Sequence, residues 1–260
     1  MLNLPWNLTR RGRPPRMNDD KKQPFLSHLE ELRGRLIKSF IAIGVGCIIA
    51  YIFSEELFNI LLLPLKDLLP EGEGLIFTGL PEMFFTYLKT AFIVGILFAS
   101  PVVFYQVWMF IAPGLYQHEK RYIIPFIFFS TILFVGGAFF GYFIVFPMGF
   151  KFLLGYSNEY LQALPSVKKY FSLSYKLLLA FGIIFQVPLI IFFMSKMGLV
   201  TVDFLRKRRL FAVLMAFIIG AVLTPPDIIS QIMMAIPVIA LYEIGIIVAM
   251  MGSRKKSSVD

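Results

Sequence analysis

The sequence is poor in charge and in the side chains that build chemical sites. Only 16% of its 260 residues are Asp, Glu, Lys or Arg, against roughly 25% in soluble domains. Hydrophobic residues make up 58%, and the mean hydropathy is +0.76. That balance excludes a soluble globular domain. The single cysteine, Cys47, leaves no intrachain disulfide, and His28 and His118 are too far apart for a zinc pattern. No GxxxxGK[ST], GxSxG, HExxH or paired-cysteine motif occurs, so the chain is expected to be neither an enzyme nor dependent on a cofactor. A net charge of +9 would suit nucleic acid, but the cations cluster between apolar blocks, as they do in cytoplasmic loops of membrane proteins, so no nucleic-acid partner is expected.

What is present is a series of long apolar runs, at 36–53, 84–111, 122–146, 173–194, 210–223 and 228–251. They read as six transmembrane helices of one all-α polytopic membrane domain, 25–252, in a lipid bilayer. The fifth run is short for a hydrocarbon core of about 30 Å; the last two helices are expected to be short and to thin the bilayer or lean on neighbours. An even span count puts both termini on one side. Nine Lys/Arg lie up to Lys38, two in 117–121, five in 196–209 and three after 253; the other six are Lys66, Lys89, Lys151, Lys168, Lys169 and Lys176. This bias predicts cytoplasmic N and C termini. The two long outer connections, 54–83 and 147–172, carry Pro64, Pro70, Pro81 and Pro165 among apolar residues and are expected to form a periplasmic cap.

Residues 1–24 read as a disordered basic arm and 253–260 as a basic cytoplasmic tail. Arg10 and Arg11 are no export signal, because no apolar segment and cleavage pattern follows them. Met17 is an alternative start.

Phe25, Leu29, Leu32 and Leu36 fall on one stripe of an amphipathic lead-in helix, with Glu31 and Arg35 away from it. Glu30, Glu31 and Glu119 are acids among cytoplasmic cations, and two readings stand. The acids receive a cationic ligand, or Glu31 pairs with Arg35 four residues on and Glu119 favours a helix N-terminus. Ala42, Gly46 and Ala50, like Gly137 and Gly141, are small residues at helical spacing and predict close helix packing. In Thr224-Pro225-Pro226-Asp227 the prolines stop a helix while Thr and Asp cap or turn the chain, which predicts a tight hairpin. Lys89 and Lys176 are expected to reach the interface by snorkelling. Glu243 either pairs with a basic residue or serves assembly.

HLEELRGRL at 28–36, PVVFYQVWMFIAPGLYQHEKR at 101–121, LTPPD at 223–227 and AIPVIALYEIG at 235–245 resemble the TatC family of twin-arginine translocase subunits. The likeness runs from Phe25 to Gly252. It implies a receptor in the bacterial inner membrane for twin-arginine signal peptides of folded cargo. It also implies assembly with TatA-like and TatB-like single-span subunits, with export driven by the proton gradient. Carried onto this chain, the recognition groups are Glu31, Arg33 and Glu119, supported by Phe110, Leu115, Tyr116 and Arg121. Arg33 serves either recognition or the positioning of Glu31. Gln186 stands where the family commonly has glutamate, which weakens a proton-relay role and leaves helix packing or partner contact. Thr224, Asp227 and Gln231 are implied to form a polar patch for a partner helix. Two rival readings make different demands on the sequence. A small-molecule transporter would need internal repeats with broken helices, and an intramembrane enzyme would need paired acids or a metal motif; neither signal is found in the sequence.

Overall fold

The computed structural model describes residues 22–69, 74–111, 123–155, 164–225 and 227–253. Their regular secondary structure is helical, joined by turns and short irregular segments, with one isolated pairing of extended backbone between Ile76 and Ser166. The helices are α1 (Lys22–Ile52), α2 (Ser54–Lys66), α3 (Glu82–Ile111), α4 (Ile123–Phe140), α5 (Phe146–Leu154), α6 (Val167–Ile184), α7 (Val187–Lys196), α8 (Val202–Lys207), α9 (Arg209–Leu223) and α10 (Ile228–Ser253). A π-helical turn, Gly141–Val145, joins α4 to α5 without a break. Five stretches are long and apolar enough to cross a membrane: His28–Ile52, Glu82–Ile111, Ile123–Leu154, Val167–Lys196 and Ile228–Met251. Arg209–Leu223 is a shorter apolar helix.

Three expectations change. Only the fifth helix is short: α9 has 15 residues but α10 has 26. The latter continues through Pro237, so it has the length of a full span. The lead-in helix and the first span are one continuous α1, because nothing between Lys22 and Ile52 breaks a helix once its polar first turns stand in water. The third and fourth spans extend beyond their apolar runs, to Leu154 and back to Val167, past Lys151, Lys168 and Lys169. Hydropathy marks the edge of the hydrocarbon, and a helix ends only where its backbone bonds do.

Close approach of backbones sets the packing. A Cβ on Gly46 would lie 2.7 Å from the carbonyl oxygen of Gly95, and one on Gly95 2.6 Å from the amide nitrogen of Cys47, so α1 and α3 cross in contact. Ala50 is buried beside them. Likewise a Cβ on Gly137 would lie 2.4 Å from the Phe181 carbonyl oxygen, which locks α4 to α6. These are the small-residue contacts expected of helices that associate in lipid. Outward faces remain apolar: Phe40, Ile41, Ile48 and Ile52 of α1 and Leu210 and Val222 of α9 are exposed.

At the end of the bundle where α1 finishes and α3 begins, the main core joins α2, α5 and α6 through Phe58, Leu65, Phe146, Phe150, Tyr170 and Phe171. Pro64 explains the first of two polar contacts there. Lacking an N–H, it frees the Ile60 carbonyl within α2. The Tyr142 hydroxyl donates to that oxygen and the Tyr170 hydroxyl to the Leu61 carbonyl, each at 2.6 Å. Pro101 in α3 frees the Leu97 carbonyl in the same way, and the Ser100 hydroxyl donates to it at 2.7 Å.

Candidate functional site

The two ends of the bundle carry different polar groups. At the end holding the first turns of α1, the imidazole of His28 stacks on Phe110 near the end of α3, with centroids 4.4 Å apart and planes 20° from parallel. This contact brings the HLEELR segment against the last turn of α3. Glu31 is half-buried beside it. Arg35 donates from Nε and Nη2 to Glu31 Oε1, at 3.0 and 2.5 Å. The other carboxylate oxygen, Oε2, lies 4.0 Å from His28 Nδ1 and accepts no hydrogen bond among the described residues. Among the described residues, one oxygen is therefore held by Arg35 and the other has only the His28 ring beside it.

The i,i+4 pairing of Glu31 with Arg35 is thus formed, and Arg35 rather than Arg33 positions the acid. Arg33 is exposed and makes no ion pair among the described residues. Leu29, Leu32 and Leu36 are also exposed, so their stripe covers nothing in the described chain. Glu119, Leu115, Tyr116 and Arg121 lie outside the described residues, as do Pro226, the arm before Lys22 and the tail after Ser253.

Gln186 is buried at the junction of α6 and α7 and points into the bundle. Its Nε2 donates to the Ser130 carbonyl at 3.1 Å and more weakly to the Gly182 carbonyl at 3.4 Å. The Ser130 hydroxyl in turn accepts from Trp108 Nε1 at 3.1 Å. This network ties α3, α4 and α6 together, so helix packing describes Gln186.

Thr224, Asp227 and Gln231 do gather, at the turn between α9 and α10. The Thr224 hydroxyl donates to the Gly220 carbonyl (2.9 Å), Gln231 Nε2 donates to the Phe217 carbonyl (3.0 Å), and Asp227 Oδ1 accepts from the Ser230 amide (2.6 Å). Thr224 and Gln231 satisfy carbonyls near the end of α9, and Asp227 caps α10. Asp227 Oδ2 and the Ser230 hydroxyl are buried with no hydrogen-bond partner among the described residues. Pro225 lies in the turn itself. Glu243 pairs with Arg209 at 2.7 Å, joining α10 to the start of α9.

Glu82 escaped the sequence reading. Buried at the start of α3, its Oε2 accepts from the amides of Thr78 (2.8 Å) and Gly79 (3.2 Å) and from the Thr78 hydroxyl (3.2 Å). Its Oε1 accepts from the Lys168 amide (2.7 Å) and the Ser166 hydroxyl (3.3 Å). One carboxylate therefore fastens the turn at 78–79 ahead of α3 and caps the first turn of α6. The Gly79-to-Glu82 spacing is the local half of this signal, a capping-box spacing; the partner 86 positions away has none. Among the described residues no three His, Cys, Asp or Glu side chains gather to hold a metal ion.

Residues 27–237 match the family described as Sec-independent protein translocase protein (TatC). The chain is 53% identical to the protein of that name from Desulforapulum autotrophicum over 92% of its own length and 89% of the relative's. It is 40% identical to the Escherichia coli protein over 88% and 89% of the two chains. The crystal structure of a twin-arginine translocase receptor, TatC, superposes with a TM-score of 0.78 at 44% identity, over 87% of this chain and 99% of that one.

Proposed function

The chain belongs to the TatC family of Sec-independent protein translocase proteins, and from that premise we propose how its own residues serve as the signal-peptide receptor of a twin-arginine translocase. The family is one of transport proteins. The chain is read as an integral protein of the bacterial inner membrane, with α9 as a sixth, short crossing. Both termini are cytoplasmic, following the bias of its cations, and the Glu31 end then faces the cytoplasm.

A single observation carries the reading: Glu31 is fixed through one oxygen by Arg35 while the other is open beside Phe110 and His28. A guanidinium is planar and offers paired N–H groups, so an incoming arginine can bond the open oxygen and lie along the aromatic face of Phe110. A lysine ammonium lacks that planar fork. Arg35 holds the acid in place without occupying the side presented to the ligand. Glu119, with Leu115, Tyr116 and Arg121, supplies the second anchor. Each charged hydrogen-bonded contact is worth about 1.5–3 kcal/mol, so two anchors discriminate twin arginine from twin lysine by a few kcal/mol. Arg33, exposed on the same helix end, selects against a peptide that brings cations out of register.

TatA-like and TatB-like subunits are proposed to dock on the exposed apolar face of α9, with the Thr224, Asp227 and Gln231 turn marking its outer end. A 15-residue α9 spans about 22 Å, short of the hydrocarbon core by about 8 Å. The bilayer beside it is thinned, which suits assembly of single-span partners there. Energy for transport comes from the proton gradient. The test is photocrosslinking from probes at positions 33 and 110 to a twin-arginine peptide. Glu31→Gln is expected to lower the yield at least about tenfold with the protein still inserted; an unchanged yield contradicts the assignment of Glu31.

A further inference from the structure

Away from Glu31, at the opposite end of the bundle, a groove of about 820 Å³ runs between α5, the first turns of α6 and the end of α9. Its floor includes Leu153, Leu173 and Leu223, and its rim holds Lys168, Lys169 and Lys176. Lys169 and Lys176 are seven residues apart and lie almost one above the other on α6, with Lys168 one position round the same face. All three are exposed. The ion pairs of the described residues are His28–Glu31, Arg35–Glu31 and Arg209–Glu243, so none of the three lysines has a carboxylate partner among them.

Three features together narrow the ligand. Lys176 lies three residues inside the apolar run 173–194, about 5 Å along the helix from its edge. An exposed ammonium just inside that edge reaches the level of the lipid phosphates by snorkelling. The groove volume falls inside the roughly 300–1,000 Å³ range of small-molecule sites, and its floor is apolar while its rim is cationic. Finally, α9 forms one wall, and its shortness draws the phosphate plane of the bilayer inward on this side, toward the level of Lys176.

We propose that this groove binds one anionic phospholipid of the leaflet facing away from Glu31, its phosphate bridging Lys168, Lys169 and Lys176 and an acyl chain lying along Leu153, Leu173 and Leu223. A soluble anion would make no use of the apolar floor, and a neutral lipid would make no use of the rim. Snorkelling of Lys176 is retained, with a defined destination. The bound lipid would fill the space between α5 and α9 and hold the short hairpin against α6. The proposal rests on the membrane-embedded reading above and is independent of what Glu31 binds.

The experiment uses the purified full chain, offered phosphatidylglycerol or phosphatidylcholine with the same acyl chains, and counts lipid retained through delipidation by native mass spectrometry. One phosphatidylglycerol is expected to be retained in preference to phosphatidylcholine. Retention is expected to fall about a hundredfold in Lys168→Gln/Lys169→Gln/Lys176→Gln and about fivefold in Lys176→Gln alone. A control that removes the same charge elsewhere, Lys38→Gln/Lys66→Gln/Lys151→Gln, should keep it. Free glycerol phosphate at the same concentration should not compete. Equal retention of both lipids, no effect of Lys176→Gln, or displacement by glycerol phosphate or by an acidic peptide would each overturn the proposal. Peptide crosslinking at the Glu31 end, measured on the same preparations, should be unaffected by the triple substitution; its separate loss would count against the receptor reading alone.

Discussion

Glu82 opens α3 and Glu31 lies in the third turn of α1, and their surroundings give the two carboxylates opposite tasks. Glu82 is buried, and both its oxygens are taken up by neighbouring donors. Glu31 has one oxygen held by Arg35 and one open. The first arrangement is structural and the second can receive a ligand. Removing the Glu82 side chain leaves the amides of Thr78, Gly79 and Lys168 without their acceptor, so Glu82→Ala should cost about 2–4 kcal/mol. Glu82→Gln, which keeps one acceptor oxygen, should cost about half as much. Unfolding in detergent, followed by helical signal, would read both; equal stability of Glu82→Ala and the parent would show that the clasp between α3 and α6 contributes nothing. Glu31→Gln should leave that same unfolding curve within about 0.5 kcal/mol, since its pair with Arg35 is a partly exposed i,i+4 contact.

Among the elements, the crossings of α1 with α3 and α4 with α6 depend on glycines that leave no room for a Cβ. Gly95→Val would force the Cys47 backbone away and is expected to cost at least about 2–3 kcal/mol. Gly44→Ala, on the open face of α1 with nothing within 4 Å, should be neutral or slightly stabilising. The pair is checked by the amount of inserted, protease-resistant protein; equal loss from both would mean that α1 is held by something other than this contact. Gly46 and Gly137 were legible in the sequence as small residues at helical spacing. Gly95 carries the same signal, since Ala91, Gly95 and Ala99 repeat the four-residue spacing within α3, but it escaped the sequence reading. Helix ends were hidden: Lys22, Leu154 and Val167 bound their helices outside the apolar runs, where hydropathy carries no signal. The Tyr142 hydroxyl that satisfies the Ile60 carbonyl freed by Pro64 is a tertiary answer to a local defect, and only the defect is visible in the sequence. What was legible is what repeats along the chain, namely the apolar runs, the Glu31–Arg35 interval, and the capping residues of the TPPD turn.

For the whole molecule, the elements alternate between two ends, one with Glu31, Phe110 and Arg209, the other with Lys66, Lys151 and Lys168. The excess of cations at the first end predicts that this end faces the cytoplasm. In a Cys47→Ser background, Lys151→Cys should react with a membrane-impermeant maleimide from outside intact cells, and Lys207→Cys only after permeabilisation. The reverse pattern would turn the protein over and remove Glu31 from the compartment where signal peptides arrive.

Binding of a labelled twin-arginine peptide and of its twin-lysine counterpart to the purified full chain, before and after Glu31→Gln, tests the central claim most directly. The account predicts that arginine is preferred by at least about a hundredfold, two guanidinium anchors each being worth about 1.5–3 kcal/mol, and that Glu31→Gln removes about half of that preference in free energy. Equal affinity for the two peptides, or an arginine preference untouched by Glu31→Gln, would contradict it.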